Sequence, residues 1–300
     1  MIQDYLKYVQ SVKGGAERTV EAYRNDLLRY ENYCNNNDIS VQSAEPYEVQ
    51  KFIADLSAER MSAASVNRCL SSIRGFYRWM IRFNKRDDNP CSSLRNIKMP
   101  VKLPHVLWEN EMADFAALPV STGILWPERD KALIMAMYSG GLRISEVVSL
   151  SMASISADLD EAKITGKGGK ERYVFFSDEA IAAIMEYLPQ RAARLRMAGM
   201  DSKKSALFIS RKGQSISVPG VRWIISRYAQ HSGLGKNIHP HALRHSFATH
   251  MVNSGCDVRV VQEMLGHSSI STTQRYTHVN LEKLKNVYAK AHPHAQGASL

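Results

Sequence analysis

Gly140-Gly141-Leu142-Arg143-Ile144-Ser145-Glu146 stops one helix and starts another, and this break organises the second half of the chain. Upstream, Pro127-Glu128-Arg129-Asp130 opens a helix, because proline fits a first helical turn. That helix runs through Ala132, Leu133, Met135, Ala136 and Tyr138 to the glycine pair. Downstream, Leu142 to Val148 restarts a helix, with Arg143 at its beginning. Residues Lys163 to Phe176 read as a hairpin: Lys163-Ile164-Thr165, a glycine-rich turn over Gly166 to Lys170, then Arg172-Tyr173-Val174-Phe175. Pro240 opens a helix that runs to about Asn253, and Gly255 ends it. Two short helices separated by Gly266 follow, and an amphipathic helix spans Leu281 to Ala291. The block from about Leu107 to Ala291 is therefore mixed but mostly helical.

The first block, residues 1 to about 86, reads as all helix. Val20, Tyr23, Leu27 and Tyr30 share one side of a helix over Thr19 to Asn32. A second helix runs from Pro46 to Ser57, and a third from Ser62 to about Phe83. Asp87-Asp88-Asn89-Pro90, Pro100 and Pro104 then break regular structure. The expected fold class is mainly α with a small β-sheet. A helical domain over 1–86, a linker over 87–106 and an α+β domain over 107–300 make up the expected organisation.

At 300 residues, with 44% hydrophobic and 23% charged side chains, the chain is long enough for two cores and ordinary for a globular protein. This composition excludes a disordered or collagen-like chain. No apolar run approaches the ~20 residues of a membrane span. The start, Met1-Ile2-Gln3-Asp4-Tyr5, lacks the basic-then-apolar layout of a secretory leader, so a cytoplasmic protein with no membrane partner is expected. Cys34, Cys69, Cys91 and Cys256 are scattered, without a C-x-x-C pair, and read as small hydrophobes in a reducing compartment. The net charge of +10 points to a polyanionic partner if it is concentrated, or to solubility if it is spread.

The third helix concentrates it. Arg68, Arg74, Arg78, Arg82, Lys85 and Arg86 occur with no acid between Met61 and Arg86. At 100° per residue they fall within an arc of about 120°. Val66, Leu70, Ile73, Phe76, Tyr77 and Met80 take the opposite side. A solvated helix face usually interleaves acids with its bases, so this face is expected to track phosphates.

The second block holds the parts that metal-free cleavage of a phosphodiester requires. Guanidinium forks neutralise charge on the non-bridging oxygens, and a nucleophile and a proton donor complete the set. Arg143 follows the glycine pair and Lys167 sits in the hairpin turn. His241, Arg244 and His245 fall at i, i+3 and i+4, on one helical face. His267 follows a glycine, and Tyr276 stands in Gln274-Arg275-Tyr276-Thr277-His278. Each has a plainer alternative: an ion pair, a loop lysine, a helix cap at His239-Pro240-His241, a packed tyrosine. Spacing alone does not bring them together.

These strings, in this order, resemble the boxes of the tyrosine site-specific recombinases. Gly141 to Glu146 is similar to the first arginine box, and His241 to His250 to the H-x-x-R box. Leu265-Gly266-His267 and Thr272 to His278 complete the pattern. Thr165 to Arg172 resembles the hairpin that carries the family's active lysine, and residues 1–86 resemble the core-binding domain. Within the family the Xer subfamily is nearest, although Phe175-Phe176 stands where its members usually place a proline.

The resemblance implies that Tyr276 attacks the scissile phosphate, giving a 3′-phosphotyrosine and a free 5′-hydroxyl. No metal, ATP or other cofactor is required. It implies that Arg143 and Arg244 clamp the phosphate, Lys167 protonates the leaving oxygen, His241 does acid–base work and His267 hydrogen-bonds the phosphate. Glu146, one turn beyond Arg143, supports that helix or His241. His245 stays ambiguous, while His250 and His278 read as structural. Double-stranded DNA, gripped by two domains as a clamp, is the implied partner. So are other recombinase subunits in a tetrameric synapse, identical or paralogous, and a septal DNA translocase. The last helix would dock on a neighbouring subunit, with packing on its own domain as the alternative.

A chromosome-dimer resolvase and a mobile-element recombinase share these motifs. A metal-dependent hydrolase built on His239, His241, His245 and His250 lacks a carboxylate at ligand spacing and an H-E-x-x-H string. A non-catalytic repressor using the segment from Val258 to Thr277 as a helix-turn-helix is the remaining alternative.

Overall fold

The computed structural model describes residues 1–12, 17–99, 106–166, 169–201, 206–235, 238–266 and 278–293. The chain divides into two units, Met1–Lys102 and Leu103–Leu300. No described helix is long and apolar enough to cross a membrane.

The first unit contains α1 (Ile2–Ser11), α2 (Glu17–Asn36), α3 (Pro46–Ala58) and α4 (Ala63–Arg82). The last three are the helices expected from the sequence; α1 is additional, and its buried Ile2, Tyr5, Leu6 and Val9 fall at i, i+3, i+4 and i+7. Pro46 occupies the first turn of α3, and Glu48 accepts the Glu45 backbone N–H at 2.7 Å. Ser62 caps α4 by accepting from the Ser65 N–H. The expected apolar side of α4 is buried against Leu27, Tyr30 and Phe52. Inside this core the Tyr30 and Tyr77 hydroxyls bond at 2.8 Å, and Tyr77 donates to the Val41 carbonyl, so both buried phenols are satisfied.

Within the first unit, the residues that follow α4 bond back to it. Pro90 and Cys91 are buried in the first unit. Asn89 donates to the Arg74 carbonyl, Arg74 to the Leu94 carbonyl, and Asn67 exchanges two hydrogen bonds with the Ile97 backbone. α4 ends at Arg82, ahead of the prolines, and its side chains then satisfy the irregular backbone beyond it.

The second unit is built around α6 (Pro127–Ser139), whose Ala132 to Tyr138 are all buried. A helix apolar on every side belongs in a core. α6 packs on α5 (Glu109–Thr122), α8 (Asp178–Met197) and α10 (Pro240–Asn253). The chain also forms α7 (Ile144–Ser149), α9 (Val218–His231), α11 (Val258–Leu265) and α12 (His278–Ala291). Strands β1 (Glu161–Thr165) and β2 (Glu171–Phe175) pair antiparallel, with Lys163 opposite Tyr173. This is the expected mainly helical fold with one small sheet. The second of the two short helices read after Asn253 lies outside the described residues.

In this chain α12 packs on its own unit: Leu284, Tyr288 and Ala291 are buried. Tyr288 donates to the Ser139 carbonyl at the end of α6, and Lys285 pairs with Asp160. The physical reason is that the inward stripe includes Tyr288, whose ring lies against Phe175 and Phe247.

The glycine pair ends α6 in a tight turn. Gly141 takes φ +54°, and a Cβ there would stand 2.7 Å from the Phe247 ring and 3.0 Å from Leu265. Left-handed strain and overpacking act together at such a position. Gly141→Ala is expected to lower unfolding stability by about 3 kcal/mol. Denaturant titration against wild type checks this, and a loss below half that size rules the close approach out.

Candidate active site

Arg143 is the N-cap of α7, placed there because Gly140 and Gly141 turn the chain out of α6. Its backbone N–H donates to Glu146 Oε2 at 2.7 Å, while its Nη1 reaches Oε1 at 2.8 Å. An acid three residues after the N-cap thus satisfies an otherwise unpaired helix N–H.

Two more guanidinium groups arrive from distant parts of the chain. Arg172, on β2, binds both oxygens of Glu146, at 2.7 and 2.9 Å. Its Nε donates to the Met264 carbonyl near the end of α11. Arg244, on α10, donates to the Gly141 carbonyl and the Leu265 carbonyl, each at 2.6 Å, with Nη1 3.7 Å from Glu146 Oε2. Arg143 Nη2 completes the ring by donating to the Gly266 carbonyl at 3.2 Å. Arg143 is the most open of the group, with 29% of its side chain exposed, against 5% for Arg172 and 9% for Arg244.

Three guanidinium groups therefore surround one carboxylate, a formal surplus of positive charge. Burial by itself would raise the Glu146 carboxyl. The hydrogen bonds and charge of Arg172, followed by those of Arg143, outweigh it and hold the group at about 2. Arg244 moves the other way, down to about 9, through burial first and then the like charge of Arg143. Such a cluster is built to receive an anion.

The structure separates the members of the H-x-x-R box. Arg244 is buried, whereas His241 and His245 are exposed on the first turns of α10. His239 is the helix cap that the sequence offered as an alternative, its Nδ1 accepting from the Ala242 N–H at 3.1 Å. His250 is buried against Tyr138, with its Nδ1 2.8 Å from the hydroxyl, as expected of a structural histidine. Among the described residues no three His, Cys, Asp or Glu side chains form a group fit to hold a metal.

Lys167, His267 and Tyr276 lie outside the described residues, as does the side chain of His278. Their neighbours in sequence are described. Gly266, just before His267, caps α11 in the left-handed conformation and touches both Arg143 and Arg172. Gly166, just before Lys167, is bonded across the hairpin mouth to the Lys170 carbonyl. The residue that sequence reading missed is Arg172. Nothing local in sequence links it to Glu146, 26 residues away.

The basic strip of the first unit is less uniform than its helical projection. α4 ends at Arg82, so Lys85 and Arg86 leave the wheel on which they were placed. Arg68 forms a two-point pair with Asp26 of α2, so the acid absent from α4 comes from another helix. Arg86 is largely enclosed, bonded to Asp88 and the Gln42 carbonyl and lying over the Tyr77 ring. Arg78, Arg82 and Lys85 remain exposed, the last two lying over Tyr8 and Trp79 respectively.

Residues 120–283 match the model of the phage integrase family, and residues 2–84 match the phage integrase N-terminal SAM-like domain. The chain belongs to the phage integrase family of tyrosine recombinases. It is an enzyme of the class that cleaves and rejoins DNA in site-specific recombination. The recombinase is 40% identical to the tyrosine recombinase XerC of Treponema denticola, over 98% of this chain and 99% of that one. It is 36% identical to the XerC of Pelotomaculum thermopropionicum, over 99% of each. Its fold is similar to the XerH site-specific recombinase bound to a palindromic difH substrate in a post-cleavage complex. That match has a TM-score of 0.70 at 21% identity, covering 96% of this chain and 84% of the other.

Glu146 gives the recombinase a pH signature. Its folded value lies below the ordinary 4.5, so its ionised form stabilises the fold above that value and the contribution is lost as pH falls toward 2. Wild type is expected to exceed Glu146→Gln in stability by on the order of 3 kcal/mol above pH 5. Equilibrium unfolding from pH 6 to pH 2.5 should show this gap narrowing, and a gap independent of pH rules the assignment out.

Proposed function

We propose that this recombinase exchanges strands of double-stranded DNA at a dif-like chromosomal site and resolves chromosome dimers. The observation that carries the chemistry is the surplus of guanidinium charge around Glu146. A scissile phosphate set between Arg143 and Arg244 supplies the missing anion. Arg143 is open enough to reach it, and Arg244 is held by two carbonyls that fix its fork. Electrostatic preorganisation of this kind lowers the barrier because nothing must reorient as charge develops.

Tyr276 Oη attacks phosphorus, the bond to the 5′ oxygen breaks, and a 3′-phosphotyrosine remains. His241, exposed at the start of α10, takes the phenolic proton. Lys167 donates a proton to the departing 5′ oxygen, and His267 hydrogen-bonds a non-bridging oxygen. The ester keeps the bond energy, so the reverse attack by a 5′-hydroxyl rejoins the strand with neither ATP nor metal.

The chromosomal reading is supported by similarity over nearly the whole chain to curated relatives named XerC. Strand exchange then proceeds in a tetrameric synapse of this chain with itself or a paralogue, on the nucleoid in the cytoplasm, under control of a septal DNA translocase. Arg78, Arg82 and Lys85 contact phosphates directly. Arg68, Arg74 and Arg86 contribute with the donors that their internal partners leave open.

A nicked suicide duplex carrying the genomic site recovered by binding-site mapping tests this. Wild type is expected to form a denaturation-resistant adduct, and Tyr276→Phe to form none while still shifting the duplex in a gel. Adduct formation by that variant overturns the nucleophile. Recovery of sites only at the ends of mobile elements overturns the chromosomal role. Lys167→Ala is expected to cleave an ordinary 5′ oxygen at least ~10²-fold more slowly and to recover on a bridging 5′-sulfur, a better leaving group. Absence of recovery removes Lys167 as the proton donor.

A further inference from the structure

Arg172 is buried deeper than either guanidinium assigned to the phosphate, and each of its three nitrogens donates within the protein. Two go to the oxygens of Glu146 and one to the Met264 carbonyl. Its surroundings are unusually specific. A Cβ on Gly266 would stand 3.1 Å from Arg172 Cδ and 3.3 Å from Nη1. A Cβ on Gly166 would stand 3.6 Å from Arg172 Nη1 and 3.9 Å from Glu146 Oε1. The guanidinium thus lies between the residue that precedes Lys167 and the residue that precedes His267. It also grips the carboxylate that caps Arg143.

We infer that Arg172 is a positioning residue for DNA cleavage: it fixes Glu146, and through it Arg143, while pinning the β-hairpin and the end of α11 to the same point. The inference rests on the phosphate-clamp reading of Arg143 and Arg244. Its physical logic is a division of labour among like charges. Glu146 can neutralise one guanidinium well. Because Arg172 holds both carboxylate oxygens, Arg244 stays 3.7 Å from the carboxylate and spends two of its donors on carbonyls. Without Arg172, Glu146 would turn its charge on Arg143 and Arg244 and compete with the phosphate. A buried carboxylate that loses one partner also becomes costly to ionise.

The charged groups facing Glu146 among the described residues are Arg143 at the start of its own helix, Arg172 from β2 and Arg244 from α10. α11 adds only backbone carbonyls to this ring. Arg172 is the largest of the influences that keep the carboxylate ionised. Its removal therefore moves the Glu146 titration upward, toward the range in which cleavage is measured. Below that titration Glu146 is protonated and loses its hold on Arg143.

The test measures adduct formation on the mapped suicide duplex from pH 5 to pH 9 for Arg172→Ala and Arg172→Lys, with circular dichroism and duplex affinity as controls. Arg172→Ala is expected to cleave about 10²-fold more slowly, the size of effect that small misplacement of reacting groups produces. Duplex affinity should change by only a few-fold, because the phosphate-facing arginines remain. Arg172→Lys keeps the charge but cannot span both Glu146 oxygens and the Met264 carbonyl, and should fall between Ala and wild type. The acid limb of both variants should lie at higher pH than that of wild type. A purely structural role would lower the rate evenly at every pH. If Ala does not fold, Lys carries the test alone. A folded variant that cleaves at the wild-type rate, or whose pH profile parallels wild type, overturns the inference. Failure of the underlying clamp reading shows separately, as wild-type cleavage by Arg143→Ala or Arg244→Ala.

Discussion

The second unit depends on how one buried carboxylate is shared. Glu146 meets Arg143, Arg172 and Arg244 from three separate elements. Burying that many charges is expensive, and the cost is offset only where geometry and hydrogen bonding are nearly complete. Here the carboxylate accepts one backbone N–H and three side-chain donors at 2.7 to 2.9 Å. The carbonyls of Gly141, Met264, Leu265 and Gly266 take much of what remains of the guanidinium hydrogens. The cluster is well bonded yet over-charged, and that combination suits the phosphate site proposed for it.

The scaffold follows from this requirement. α6 is apolar on all sides and anchors the unit, and its end must turn sharply so that Arg143 begins a new helix beside Arg244. Gly141 permits the turn, lets the Phe247 ring approach, and offers its carbonyl to Arg244. The β-hairpin has few strands to stabilise it, and Arg172 ties it to the helices instead. One glycine and one arginine thus couple backbone conformation to the placement of charge.

The first unit uses its charges differently. Arg68 and Arg86, which look free in the sequence, are bound to Asp26 and Asp88. The first pairing fixes α4 to α2, and the second lies within the segment that follows α4. The exposed bases Arg78, Arg82 and Lys85 are left as the positive surface. A helical projection counts charges on one helix and is blind to acids on the next.

Local patterning determined most of the helices, the hairpin and the glycine break, because the 3.6 and 2 periodicities and the Pro and Gly boundaries act over a few residues. The ordered boxes around Arg143, Arg244 and Tyr276 were equally legible, since a family resemblance is carried by sequence strings. What only the tertiary structure decided is who pairs with whom. Arg172 is 26 residues from Glu146, and Arg68 is 42 from Asp26. α12 lies on its own unit because Tyr288 finds a carbonyl at the end of α6. Coulomb attraction and hydrogen bonding depend on distance in space, and sequence spacing beyond one helix turn does not encode that distance.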